Sequence, residues 1–274
     1  MEKDSKKGRP TAVEMAVDIL NRRFAGARAA GAAMSSQNQR SPVKRQLTTP
    51  APLPKVLYKY LPRRYAESLV GVGNTQIGTL HDFRRLELGP GIADANEGRK
   101  ELRASFVEAE TFAHGTPSGE ALNELGVIKV TGGASVTFSD VTIVRGIDHP
   151  NAYIWCCSTD MSEEAMSGLD GADTCVEIFD VDGFFKALHA AVSSLTAVQL
   201  IGVAPVTYST RSEEWSRQNL GLHAAYLKGI EYKRQGEVRA VWTVDNDPTT
   251  LQPLIIPESN IGKYCHIVDI SVSG

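Results

Sequence analysis

The sequence has little cysteine, no long apolar run and no metal-ligand spacing. Cys156, Cys157, Cys175 and Cys265 are the four cysteines. They are too few and too irregularly spaced for a disulfide framework, so reduced, buried thiols are expected. Cys156 and Cys157 are adjacent, so a strand would turn them to opposite faces. No stretch approaches the roughly eighteen apolar residues that a membrane-crossing helix needs. The opening "MEKDSKKGRP" is charged, and no apolar signal core follows it. Secretion by that route is therefore not expected, and a cytoplasmic location is. The six histidines are scattered, with neither H-x-x-x-H nor C-x-x-C, so no metal is expected. No G-x-G-x-x-G follows a strand pattern, which excludes a Rossmann dinucleotide site. There is no internal repeat.

What is present is an ordinary globular composition, 42% hydrophobic and 22% charged over 274 residues, with an uneven charge distribution. Residues 1–50 carry a net charge of about +6 and the remainder about −9, a basic segment before an acidic body. That segment is expected to be a solvated tail, with recruitment of a partner or nucleic acid as the alternative. Within it, Val13, Ala16, Val17, Leu20 and Phe24 recur at helical steps, which predicts a helix over 11–34. Thr11 and Glu14 form a capping-box pattern at its start. Residues 35–54 are polar, carry proline and lack a period, which predicts a linker. One globular domain over 55–274 is expected.

Inside that domain "KVLYKYL" alternates as a strand, with Lys59 opposite Tyr58 and Tyr60, whose rings are expected in the core. "RRYAESLVG" reads as a short helix ending near Gly71 or Gly73. "TQIGTLHDFRRLE" reads as a strand and turn, and "LGPGIADANEGRKEL" as a loop. "AYIWCCSTD" reads as a strand. Residues 174–179 read as a strand, with a helix from about Gly183. Residues 212–230 have helical composition, and "EVRAVW" closes a strand on which Glu237 and Arg239 share a face. Many strands with a few blocks of helix imply an α+β fold of mixed, mostly antiparallel sheets flanked by a few helices. Tyr153, Trp155 and Trp242 are expected as sheet and core aromatics.

In their order, "LYKYL", "IGTLHDFRRLE", "IADANEG", "IWCCSTD", "MSGLDGADTCVEIFD" and "YKRQGEVRAVW" resemble the bacterial domain-of-unknown-function family 2971. The resemblance covers roughly residues 55–245. Lys59, then Ser158-Thr159, then Gln235-x-Glu237 is a remoter likeness to mono-ADP-ribosyltransferases of the Arg–Ser–Glu type. The departures from it are Lys59 in place of arginine and Asp160 in place of a third serine, and family 2971 usually has Glu-x-Glu where this chain has Gln235-Gly236-Glu237. The likeness implies an ADP-ribosyltransferase-like fold and NAD as substrate. The implied product is a modified macromolecular acceptor or hydrolysed NAD, in a toxin or phage-defence setting. It implies Glu237 as the carboxylate beside the reacting ribose, where the sugar becomes oxocarbenium-like. Gln235 would position an acceptor, since an amide is no general base. Lys59 would meet the pyrophosphate as a point charge, and Ser158 would hold the carboxylate, with Thr159 beside it. Tyr65 or Phe83 would stack on nicotinamide.

The residues also leave other readings open. Glu237 and Arg239 can be a plain ion pair on an exposed face. Ser158 and Thr159 can be turn formers. Asp82, Asp94 and Glu97 can hold a metal in a hydrolase or nuclease. The same fold can serve as a non-catalytic interaction module.

Overall fold

The computed structural model describes residues 52–85, 91–245, 250–257 and 259–270. The helix expected over 11–34 and nearly all of the linker lie outside them. The described fold is α+β with mostly antiparallel sheets. No helix among the described residues is long and apolar enough to cross a membrane.

The alternating "LYKYL" forms strand β1, Leu57–Leu61. Helix α1, Arg63–Val72, follows and stops at Gly73, whose φ of 72° is the left-handed cap that glycine adopts without steric cost. Strand β2, Thr75–Thr79, leads to a 3-10 turn at Asp82–Arg84. Strand β7, Tyr153–Ser158, and strand β8, Thr174–Ile178, complete the centre, with the short helix α3, Glu163–Ser167, between them in sequence. Helix α4, Val181–Leu195, is capped by the Asp180 carboxylate, which accepts from the Gly183 N–H at 2.9 Å. Strand β9, Val198–Pro205, and strand β13, Glu237–Val244, pair antiparallel. Strands β14, Leu254–Ile256, and β15, Cys265–Val268, lie at the sheet's margins.

Strand β7 organises the eight-stranded sheet by forking it. One edge pairs along its whole length with β13, from Glu237 opposite Ser158 to Trp242 opposite Tyr153. The other edge is shared. Strand β1 meets it at Ser158 alone, while β2 meets it at Tyr153 and Ile154. Strand β1 then continues into β8 and β15, and β2 into β14. Between the two branches Trp155, Cys156 and Cys157 have no strand partner on that edge.

The two sheet faces follow the period of two. Trp155, Cys157, Val238, Ala240 and Trp242 face the main core, where Phe184, Phe185, Leu188 and Val192 of α4 and Ala66 and Leu69 of α1 cover them. Ile154 and Val241 face the opposite side, under Leu80, Ala225 and Tyr226. The aromatics Tyr153, Trp155 and Trp242 are buried as expected.

A second cluster forms around Phe106, Phe112, Leu122 and Trp215. It is built on β3 (Arg99–Phe106), β4 (Glu110–Ala113), α2 (Pro117–Leu125), β5 (Ser135–Phe138), β6 (Val141–Asp148) and β11 (Ser212–Glu214). Residues 212–230 are not the helix their composition predicts. They run as β11, a turn with Arg217 at φ 62° and Gly221 at φ 67°, a 3-10 turn at Ala224–Tyr226 and strand β12, Leu227–Gly229. Their side chains find better partners across the fold than along a helix. The Arg217 guanidinium grips Glu110 and donates to the Ser105 carbonyl, and the Trp215 ring stacks on Phe112.

Candidate functional site

The fork holds a cavity of about 510 Å³. It is lined by Lys59, Tyr65, Phe83, Ser158, Gln235 and Glu237 together, residues the sequence scatters over almost 180 positions. Thr159 is not among its lining residues. Its N–H donates to the Gly236 carbonyl at 2.8 Å and its hydroxyl bonds the Asp160 carboxylate at 3.0 Å, a turn-forming role.

Each strand delivers its residue for a local reason. Tyr58, Ser158 and Glu237 stand opposite one another across β1, β7 and β13, so they share one face. Lys59, one residue on, points to the other face. Its ammonium enters the fork, where it donates to the unpaired Cys156 carbonyl at 2.6 Å and sits 4.9 Å from the Trp155 ring. Tyr60 is buried, yet both it and Tyr58 also line the cavity, which the expectation of purely core rings did not include. Phe83 lies against Gly78 of β2, where a Cβ would come within 3.0 Å of its ring. Tyr65 sits on α1 with the Arg64 guanidinium 4.6 Å from its ring.

Gln235 does not stand at the start of the strand beside Glu237. It ends a 3-10 helix, Ile230–Gln235, and Gly236 at φ 49° turns the chain into β13. A Cβ at Gly236 would lie 2.7 Å from the Thr159 hydroxyl and from the Asp160 carboxylate, and with the positive φ any other side chain there would be strained. The Gln235 amide is already engaged. Its Oε1 accepts from Lys228 at 2.7 Å and its Nε2 donates to the Gly91 carbonyl at 2.6 Å.

Glu237 and Arg239 do form the ion pair their spacing allows, but it is buried rather than exposed. The Arg239 Nε lies 2.5 Å from Glu237 Oε1, and Lys228 Nζ lies 2.7 Å from Oε2. Both residues are almost fully buried, at 6% and 1% exposure. The other end of Arg239 grips both oxygens of Glu97, at 2.6 and 2.8 Å. Burial pulls the Glu237 carboxyl upward, but the Arg239 and Lys228 charges outweigh it and hold the group well below the usual carboxylate range. Arg239 is held firmly protonated by Glu237 and Glu97 against the cost of burial. Both Glu237 oxygens therefore already accept a hydrogen bond from within the protein.

Ser158 does not bond the carboxylate. Its hydroxyl donates to the Gln235 carbonyl at 2.8 Å, so it acts on the backbone that carries Glu237. Cys156 shares Glu237's face, and burial with the neighbouring carboxylate pushes its thiol well up. Cys157 faces the main core, where burial pushes its thiol up to about 12, and all four cysteines are free.

Two of the three acids suggested as metal ligands are otherwise employed, while Asp82 Oδ2 is buried with no hydrogen-bond partner among the described residues. Glu97 is taken by Arg239, and Asp94 pairs with Arg211. Asp82 lies 3.6 Å from Arg85. No group of three or more His, Cys, Asp or Glu among the described residues is placed to hold a metal.

Sequence reasoning missed Lys228 and Tyr208. Lys228 lies in the stretch expected to be helical. A lone lysine between Leu227 and Gly229 is the one cue, and it points inward only once that stretch is a strand. Tyr208 is on strand β10, Thr207–Ser209, which runs parallel to β12 with Tyr208 opposite Lys228. Its hydroxyl accepts the Glu237 backbone N–H at 2.7 Å. Comparison of the chain with protein-family models, with curated proteins and with solved structures finds no match.

Proposed function

We propose that the protein is an ADP-ribosyltransferase-like enzyme that cleaves NAD in the fork of its main sheet. It passes ADP-ribose to a macromolecular acceptor or to water. The observation that carries this reading is the convergence of Lys59, Ser158, Gln235 and Glu237 with two aromatic rings on one cavity. The cavity's size lies within the roughly 300–1,000 Å³ range typical of small-molecule sites.

In the proposed reaction the bond between nicotinamide and the ribose anomeric carbon breaks, and nicotinamide leaves with the electron pair. The acceptor adds to that carbon and loses its proton. Glu237 is suited to part of this work. Its charge is already matched by Arg239 and Lys228, so it serves less as a free anion or a base than as a fixed acceptor for ribose hydroxyls. Lys59 has donors beyond the one given to Cys156, and these can meet a pyrophosphate oxygen. Phe83 and Tyr65 offer rings to a base. Gln235 keeps one amide hydrogen for an acceptor.

The test is nicotinamide release from NAD by the purified full chain. Wild-type protein should release it, and Glu237→Gln should not, while still binding NAD by calorimetry. A wild-type protein that neither binds nor cleaves NAD ends the reading. A second reading, a non-catalytic module of the same fold, draws on one observation: both Glu237 oxygens and the Gln235 side-chain amide oxygen already accept hydrogen bonds from within the protein. Wild-type protein that binds NAD without releasing nicotinamide would select it.

A further inference from the structure

We infer that Lys228, itself part of the cavity lining, is the positioning residue of this cavity, fixing the Glu237 carboxylate and the Gln235 amide against each other. The inference rests on the transferase reading only for its effect on turnover. The Lys228 ammonium lies 2.7 Å from both Gln235 Oε1 and Glu237 Oε2, and 4.8 Å from the Tyr232 ring. The side chain is 5% exposed, so the charge is held out of water. A buried ammonium is costly unless its donors are met, and here the two acceptors are two proposed site residues.

The support behind it is a two-stranded ribbon. Tyr208 of β10 and Lys228 of β12 stand in register, and together they hold one residue at two points. Tyr208 takes the Glu237 backbone N–H, and Lys228 takes the carboxylate. Arg239 cannot do this alone. Both its Nη groups are committed to Glu97, which leaves Nε for Oε1. Lys228 is thus the cation on Oε2, and it balances a buried set of two carboxylates and two cations.

The groups facing Glu237 are Arg239 on its own strand, Cys156 and Ser158 on β7, Tyr208 on β10, Lys228 on β12 and Gln235 before the turn. Among them only Lys228 and Arg239 are cationic. A neutral side chain at 228 leaves Glu97 and Glu237 sharing one arginine. The Glu237 carboxyl then takes up a proton at higher pH and loses its fixed rotamer.

The experiment compares wild type with Lys228→Met, Lys228→Gln and Lys228→Arg in the full chain. NMR titration of ¹³C-labelled glutamate carboxyls reads Glu237 without any turnover. Its pKa should rise in the two neutral variants and stay low in Lys228→Arg. Nicotinamide release should fall on the order of 100-fold in kcat in the neutral variants, as expected of a misplaced group, with KM for NAD little changed. The acid limb of the rate profile should move up, and Lys228→Arg should recover much of the rate. An unmoved Glu237 titration in a folded neutral variant overturns the inference. So does failure of both neutral variants to fold, because the ammonium is then a requirement of folding. Wild type without nicotinamide release, but with the expected shift in Glu237, defeats the transferase reading and upholds the hold of Lys228 on Glu237.

Discussion

Glu97, Arg239, Glu237 and Lys228 form a chain of alternating charge through the interior. Such a cluster contributes little net stability while complete but is costly to break, because the remaining partner is left charged and buried. Glu97→Gln should therefore lower stability by about 3–5 kcal/mol in urea unfolding. The cluster also sets an acid limit. Glu237 has a folded pKa depressed below its ordinary 4.5. Its contribution is thus present above that value and is lost as pH falls through it toward the folded value. Unfolding free energy should decline as pH drops below about 4.5, and the decline should be shallower in Glu237→Gln, which lacks the titrating group.

At the scale of elements, β7 decides the most. It is one strand with three neighbours, and the cavity exists because two of them share an edge without filling it. Helix α4 covers the sheet's main-core face, where its Phe184 lies 5.1 Å, ring to ring, from Trp155 and has no exposed surface. Phe184→Ala should cost about 3–5 kcal/mol, with a lower Tm by calorimetry, through lost burial and the void left behind. Elements with strong local signals were readable from the chain itself. Helix α1 ends on glycine, α4 starts on a capping aspartate, and β1 and β13 alternate. Residues 212–230 were not readable, because helix-forming composition there is overridden by Glu213 on Lys100 and Arg217 on Glu110, both more than 100 positions away.

At the scale of the whole molecule, charge is segregated between the basic residues 1–50 and the acidic remainder. Among the described residues, those lining the cavity run from Tyr58 onward. Deletion of residues 1–50 should therefore leave nicotinamide release within about twofold, against on the order of 100-fold for loss of a site residue. Binding to a nucleic acid of random sequence tests the basic segment separately from turnover. If recruitment is the role of that segment, the deletion should lose the binding and its salt dependence.

The sequence by itself determined the local matters. Period two placed Glu237 and Arg239 on one face and set Cys156 and Cys157 back to back, and glycine marked the helix end near 71 or 73. Motif order picked out Lys59, Ser158, Gln235 and Glu237. Only the tertiary structure decided that the Glu237–Arg239 pair is buried, that Glu97 closes it from 142 positions away, and that Lys228 bonds the carboxylate. Only it turned Lys59 into the fork from the opposite face. The physical reason is range. Side-chain direction along a strand follows from the backbone repeat, whereas burial and charge pairing depend on which strands meet β7, and no local pattern carries that information.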